Sequence, residues 1–274
     1  MLGDRTSDGT AVDTSVDANA KSSSVAYFSI VHGSRNSAYN AAIAQLKALI
    51  YQQLITGTPV NTGTPLLEVG YLEVHPQPLH EQIANFADRA EQQGIKHIQL
   101  LPLFLLPGVH TIEDIPEQVA IARNQIPSKI ALEIRPYLGT HATELSRLLM
   151  SQMTAVKTQP PATVWILFSH GSRRPGGNES VEAIAHRLAN LSGVEVVTAY
   201  SFVPPFLSDQ VAQLWPSHRR MAILPYVLFP GELTQAISGS VTELCQTFAD
   251  LQVNIAEPIG PTVDLAQLIM SISN

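Results

Sequence analysis

One pattern is written twice in this chain, and that repeat limits the fold more than any other feature. His32-Gly33-Ser34-Arg35 recurs as His170-Gly171-Ser172-Arg173, each time behind an apolar run, residues 25–31 and 164–169. Three further markers follow in the same order. Residues 70–74 match 199–203, residues 102–108 match 225–231, and residues 136–139 resemble 258–260. A tetrapeptide can recur by chance, but four ordered markers make each half one structural unit. The first half is longer between markers, with residues 56–65 as a loop insertion. Residues 151–163, with Pro160 and Pro161, read as a linker. The predicted units are therefore residues 25–155 and 156–274.

Within each unit, apolar runs alternate with amphipathic ones. Strands are expected at 25–31, 66–74, 97–105 and 130–138, then at 163–169, 194–201, 221–229 and 253–259. Between them, Ile43, Leu46, Leu49 and Ile50 have helical spacing, as do Val181, Ile184, Ala185 and Leu188. Strands that are apolar throughout and alternate with helices imply parallel sheets covered on both faces. The expected fold is α/β: two similar domains, each a parallel four-stranded sheet flanked by helices, with a cleft between them. Ligands in such sheets bind beyond the carboxyl ends of the strands. Both HGSR motifs and both Pro-Gly segments fall there.

Composition narrows the function. Of 274 residues, 45% are hydrophobic and 14% charged, which is incompatible with a disordered chain. A net charge of −7 argues against nucleic acid or an anionic membrane as partner. No run of about 18 apolar residues is present, so no spanning helix is expected. Residues 1–24 are rich in Ser, Thr, Gly and Asp and read as a disordered tail, neither a secretion signal nor a transit peptide. The single Cys245 excludes a disulfide framework and a thiolate metal site, and a cytoplasmic setting is expected.

Among nine histidines, His75, His80, His97, His186 and His218 lie in polar surroundings or at element ends and read as structural. His141 follows an apolar strand and is a candidate for lining a pocket. His32 and His110 each follow an apolar strand, the second through a Pro-Gly loop, and Glu73 ends the strand between them. Two imidazoles and a carboxylate on one sheet edge suit a borderline divalent cation such as Fe, Co or Ni, with positions left open. The alternative is that His32 caps the next helix while Glu73 pairs with an arginine. In the second half His170 is kept, but Phe202 stands at the place of Glu73 and Leu233 at that of His110. The N-terminal half is thus the expected chemical site.

These residues resemble the sirohydrochlorin chelatases, the class II tetrapyrrole chelatases. The resemblance rests on HGSR at 32–35, Leu72-Glu73, and the long segment from Pro102 through Gly108, His110 and Asp114 to Pro116. It covers about residues 25–274, including a degenerate C-terminal copy. It implies insertion of Fe²⁺ or Co²⁺, with Ni²⁺ a further candidate, into sirohydrochlorin. His32, His110 and Glu73 would hold the metal and accept the pyrrole protons. No permanently bound cofactor is implied, and the partners are the tetrapyrrole and the ion. Sirohydrochlorin carries eight carboxylates, so Ser34, Arg35, His141 and Arg173 are candidate substrate contacts, with Arg174 beside them. The arginines have an alternative role as ion-pair partners across the cleft. A chelatase for another tetrapyrrole and a non-catalytic carrier remain alternatives. A monomer or weak oligomer is expected.

Overall fold

The computed structural model describes residues 25–57, 64–157 and 160–273. The expected tail at 1–24, most of the 56–65 insertion and part of the linker lie outside these residues. In the first half, β1 (Val25–Val31), β2 (Leu67–Tyr71), β3 (His97–Pro102) and β4 (Ala131–Ile134) form a parallel sheet ordered β2-β1-β3-β4. They alternate with α1 (Ser37–Gly57), α2 (Leu79–Gln92), α3 (Ile115–Arg123) and α4 (Ala142–Ala155). The second half repeats this arrangement. Its strands are β5 (Val164–Ser169), β6 (Glu195–Tyr200), β7 (Arg220–Pro225) and β8 (Gln252–Ile255), ordered β6-β5-β7-β8 and all parallel. Its helices are α5 (Glu179–Ser192), α6 (Leu207–Leu214), α7 (Glu232–Thr247) and α8 (Val263–Ile272).

Alternation along the strands sorts the core into layers. Ala26, Phe28 and Ile30 of β1 face outward onto α2 and α3, where Ile83, Phe86 and Val119 are fully buried. Tyr27 and Val31 face inward. They join one apolar cluster that contains Leu46 and Ile50 of α1, Leu149 of α4, Leu188 of α5 and Ile269 of α8. On the second sheet Trp165 and Leu167 point into this cluster, while Val164, Ile166 and Phe168 point outward toward α6 and α7. Helix α1 packs on α8 and α4 on α5. The layers therefore run helix, sheet, helix, sheet, helix, and the middle helices are common to both halves. Arg135 ties the halves further: its Nε and Nη2 donate to the carbonyl of Ile272, at 3.1 and 2.8 Å, which caps the end of α8.

The fold class is as expected from the sequence, and several boundaries move. The strands expected to reach 74, 105, 138, 229 and 259 stop at Tyr71, Pro102, Ile134, Pro225 and Ile255. Beyond these points the apolar residues continue, but the chain leaves the ladder and turns over the sheet edge. Prolines end β3 and β7, where a missing N–H costs no ladder bond. Residues 151–155, expected in the linker, are the last turn of α4, because Met153 continues the buried 3–4 spacing of Leu145, Leu148 and Leu149. Thr56 and Gly57 likewise belong to α1.

Candidate metal centre

In the first sheet β1 connects outward to β2 while β3 lies on its other side, so the crevice at their carboxyl ends is a topological switch point. His32 leaves β1 there, Glu73 lies two residues past β2, and His110 follows the loop from β3. The backbone holds the first two together: the N–H of Leu72 donates to Val31 O at 2.9 Å and that of Glu73 to His32 O at 2.8 Å. Gly33 makes this approach possible. Its φ is +101°, and a Cβ there would lie 2.1 Å from the carbonyl oxygen of Glu73. The residue after Glu73, Val74, has φ of 59°, a strained conformation for a β-branched side chain.

The three expected ligands converge. One nitrogen each from His32 and His110 and one oxygen of Glu73 lie within 4.8 Å of one another. Glu73 Oε2 is 3.8 Å from His32 Nε2, and Oε1 is 4.0 Å from His110 Nε2. The two imidazoles meet edge to face, with centroids 4.9 Å apart at 77°. Each ring is oriented through its other nitrogen. His32 Nδ1 donates to Gly33 O at 3.1 Å, and His110 Nδ1 lies 2.7 Å from Asp114 Oδ2. In the neutral rings this leaves the Nε2 lone pairs aimed into the cleft. A three-ligand set of this kind can take up a divalent cation and still leave coordination positions free.

The alternative reading of these residues does not match the geometry. Asn36, not His32, caps α1: its Oδ1 accepts from Ala38 N at 2.8 Å and Tyr39 N at 3.3 Å. Glu73 has the two histidines, and no arginine, within ion-pair distance among the described residues.

A single π-helical turn, His110–Asp114, places His110 and Asp114 on one face. It is anchored by Thr111, whose Oγ1 accepts from Gly108 N and donates to Gly108 O, both at 3.1 Å. Thr234 does the same to Gly231, at 3.0 and 2.8 Å. The second copy thus keeps the local scaffold while Leu233, buried, occupies the place of His110.

These groups open onto a cleft of about 800 Å³ lined by both halves. Leu103, Phe104 and Leu105 of the first half and Tyr226, Leu228 and Phe229 of the second line it, and Arg35, His170 and Glu232 stand on its walls. Arg35 makes no hydrogen bond or ion pair among the described residues. Ser34 also lines the cleft; its Oγ accepts from Asn36 N at 3.0 Å, which leaves the hydroxyl proton free to donate. Tyr39 is pushed up to about 12 by burial, against the lowering effect of the Gly33 backbone, and so stays a neutral phenol. His170 is held below the ordinary histidine value by desolvation and by the charge of His32, with Glu232 opposing.

Three candidate contacts lie elsewhere. His141 is at the start of α4, outside the cleft lining, with its Nε2 buried and unpaired among the described residues. Arg173 is exposed outside the lining, and Arg174 pairs with Glu113 of the other half at 2.9 Å. That pairing is the alternative raised for these arginines. Asp114 entered the sequence reading only as part of the matching segment, and Tyr39 and the Thr111 anchor were not singled out. The signals were present: an Asp four residues after His110, and a Thr repeated three residues after each Pro-Gly.

Two parallel sheets with a His–Glu–His triad at a switch point define an α/β protein with a candidate metal site. The family model described as CbiX matches residues 26–155 and again 164–272, and the chain belongs to that family. It is 24% identical over 225 residues to a sirohydrochlorin ferrochelatase of Bacillus subtilis (strain 168), covering 78% of this chain and 77% of that one. A sirohydrochlorin cobaltochelatase of Priestia megaterium is 24% identical over 201 residues, covering 71% of this chain and 64% of the relative. Among solved structures, SirB from Bacillus subtilis with Fe³⁺ superposes with a TM-score of 0.74 at 22% identity, covering 91% of this chain and 94% of that chain. The two-sheet fold is therefore shared along nearly the whole chain. No helix among the described residues is long and apolar enough to cross a membrane.

Proposed function

We propose that this protein is a sirohydrochlorin chelatase, inserting Fe²⁺ or Co²⁺ into the macrocycle with release of two protons. The observation that carries this reading is the His32–Glu73–His110 triad, three ligand atoms within 4.8 Å of one another, with both histidines on the wall of a cleft large enough for a ligand of this class. The names of the two relatives, one for iron and one for cobalt, support it.

In this reading Nε2 of His32, Nε2 of His110 and a Glu73 oxygen take up the ion. Three ligands at a partly exposed site hold it loosely enough to be handed on, which a closed four-ligand cage would oppose. Metallation replaces two pyrrole N–H protons by the cation, so two proton acceptors must be near. As the ion moves to the ring nitrogens, the freed imidazoles and carboxylate become those acceptors. Arg35 and Ser34 are positioned to meet substrate carboxylates, Arg35 with a guanidinium that has no partner among the described residues to give up. The negative net charge of the chain does not oppose this, because the local groups set the potential inside a cleft. The single cysteine, Cys245, is exposed and accords with a reducing, cytoplasmic setting. The chain is taken to act as a monomer or weak oligomer, since one copy supplies both walls of the cleft.

The test is anaerobic mixing of purified protein with sirohydrochlorin and either Fe²⁺ or Co²⁺. The visible spectrum should pass to that of the metallated ring faster than without protein. Binding of sirohydrochlorin without acceleration would make the protein a carrier; no binding would point to another tetrapyrrole. Steady-state rates with the two ions then rank them.

A further inference from the structure

The degenerate half has kept the backbone of the triad and one of its histidines, and has lost the other two ligand positions. Phe202 N donates to His170 O at 3.0 Å, the counterpart of the 2.8 Å bond from Glu73 N to His32 O. Phe202 is therefore the structural equivalent of Glu73, as His170 is of His32. The side chains make a different object. The rings of His170 and Phe202 are parallel to within 7°, with centroids 5.7 Å apart, an offset stack. The His32 and His110 rings, by contrast, stand at 77° with their nitrogens turned inward. Phe202 is 59% exposed, so much of its ring is open to a ligand. His170 lies on the cleft wall, and Phe202, stacked on it, stands just beyond the lining residues at the rim.

We infer that His170 and Phe202 form an aromatic shelf, running from the cleft wall to its rim, on which the flat face of the tetrapyrrole rests while the His32–Glu73–His110 triad supplies the metal. This deepens the proposed function and rests on it. A conjugated macrocycle offers a wide π surface, and parallel stacked rings can extend onto it without demanding a particular peripheral substituent. The replacement also removes a carboxylate from a wall that must accept a polyanion. A Glu at 202 would add a negative charge beside His170, which already feels that of Glu232, whereas Phe adds contact area and no charge. Phe202 is thus a binding residue of the macrocycle, and it has no part in holding the ion.

The experiment uses the full chain and separates ring binding from ion binding. Sirohydrochlorin is titrated without metal, followed by its fluorescence, against the wild type, Phe202→Ala, Phe202→Trp and Phe202→Glu. Co²⁺ alone is titrated against the same proteins. Phe202→Ala is expected to weaken sirohydrochlorin binding about tenfold and to raise KM with kcat nearly unchanged. Phe202→Trp should keep wild-type affinity, Phe202→Glu should lose more than Ala does, and Co²⁺ affinity should be the same in all four. Because the side chain is largely exposed, these variants should fold; matched circular dichroism checks it. Equal ring affinity for wild type and Phe202→Ala overturns the shelf while leaving the chelatase reading intact. A fall in Co²⁺ affinity in Phe202→Ala overturns it too, since the residue would then act through the triad. A wild type that neither binds nor metallates sirohydrochlorin removes the functional reading and the shelf together.

Discussion

The Nδ1 of His110 lies 2.7 Å from Oδ2 of Asp114, four residues further along the same π-helical turn. This contact decides which nitrogen of His110 faces Glu73 and makes that nitrogen a better donor to a cation. Asp114→Ala should therefore lower Co²⁺ affinity by about 10- to 100-fold. Asp114→Asn, which still offers an oxygen to Nδ1–H, should lose less. Titration of Co²⁺ followed by its visible absorption measures both; equal affinity in Asp114→Ala and wild type would remove the orienting role.

Gly33 is the closest backbone approach in the site, and its replacement should cost the site more than the fold. In Gly33→Ala the new methyl would stand 2.1 Å from Glu73 O at a φ of +101°, so the Glu73 segment must move away from His32. Loss of most Co²⁺ binding and turnover is expected, with about 1–3 kcal/mol of destabilisation. Gly94→Ala is the control. It shares a positive φ, +73°, but has open space around it, and should lower stability modestly with activity intact. Urea unfolding beside the Co²⁺ titration separates the two effects.

Val74 should reveal the opposite trade. Its φ of 59° is unfavourable for a β-branched residue, and at 53% exposed it gives up little packing when replaced. Asn tolerates that region of the backbone. Val74→Asn is expected to raise unfolding free energy by about 1 kcal/mol. A urea midpoint at or below that of the wild type would show that the strain is not stored there.

Away from the cleft, Glu68 sets part of the acid limit of the fold. Burial would raise its pKa, but the Lys47 ammonium at 2.5 Å, the Val69 N–H at 3.1 Å and Arg89 at 3.2 Å outweigh that and hold it below 4.5. A carboxyl depressed in the folded state adds stability above its unfolded pKa, and that stability is lost as pH falls through the folded value. Glu68→Gln should be less stable than wild type near pH 7, and the gap should close between about pH 5 and pH 3. Thermal unfolding across that range tests it; a gap that stays constant with pH would assign the effect to packing.

How much of this was legible in the residues follows from what each signal encodes. The repeat and the apolar alternation gave both sheets, because strands covered on two faces have no other way to be written. His32, Glu73 and His110 were legible because a parallel sheet delivers strand ends to one edge. Strand ends at Tyr71 and Pro102 were not, since the apolar run continues into residues that turn over the edge and line the cleft. His141 misled for the same reason in reverse: it follows a strand, yet the 3-10 turn at Leu138–Thr140 carries it to the head of α4. Arg174 looked like a substrate contact in isolation, and only the three-dimensional structure places Glu113 within 2.9 Å of it. The stacking of His170 on Phe202 needed side-chain planes, which no one-dimensional pattern contains.

The middle layer of helices, buried between the two sheets, has a consequence for how such a cleft can diversify. Either half alone would expose the apolar faces of α1 and α4, or of α5 and α8, and would have to pair with a second copy to cover them. In a pair of identical subunits every substitution is enforced on both sides of the two-fold axis. A phenylalanine that helps one wall would delete the carboxylate from the other. Joining the copies in one polypeptide lifts that constraint, so Glu73 and Phe202 can occupy equivalent places with unlike tasks. Covalent linkage here is a licence for asymmetry.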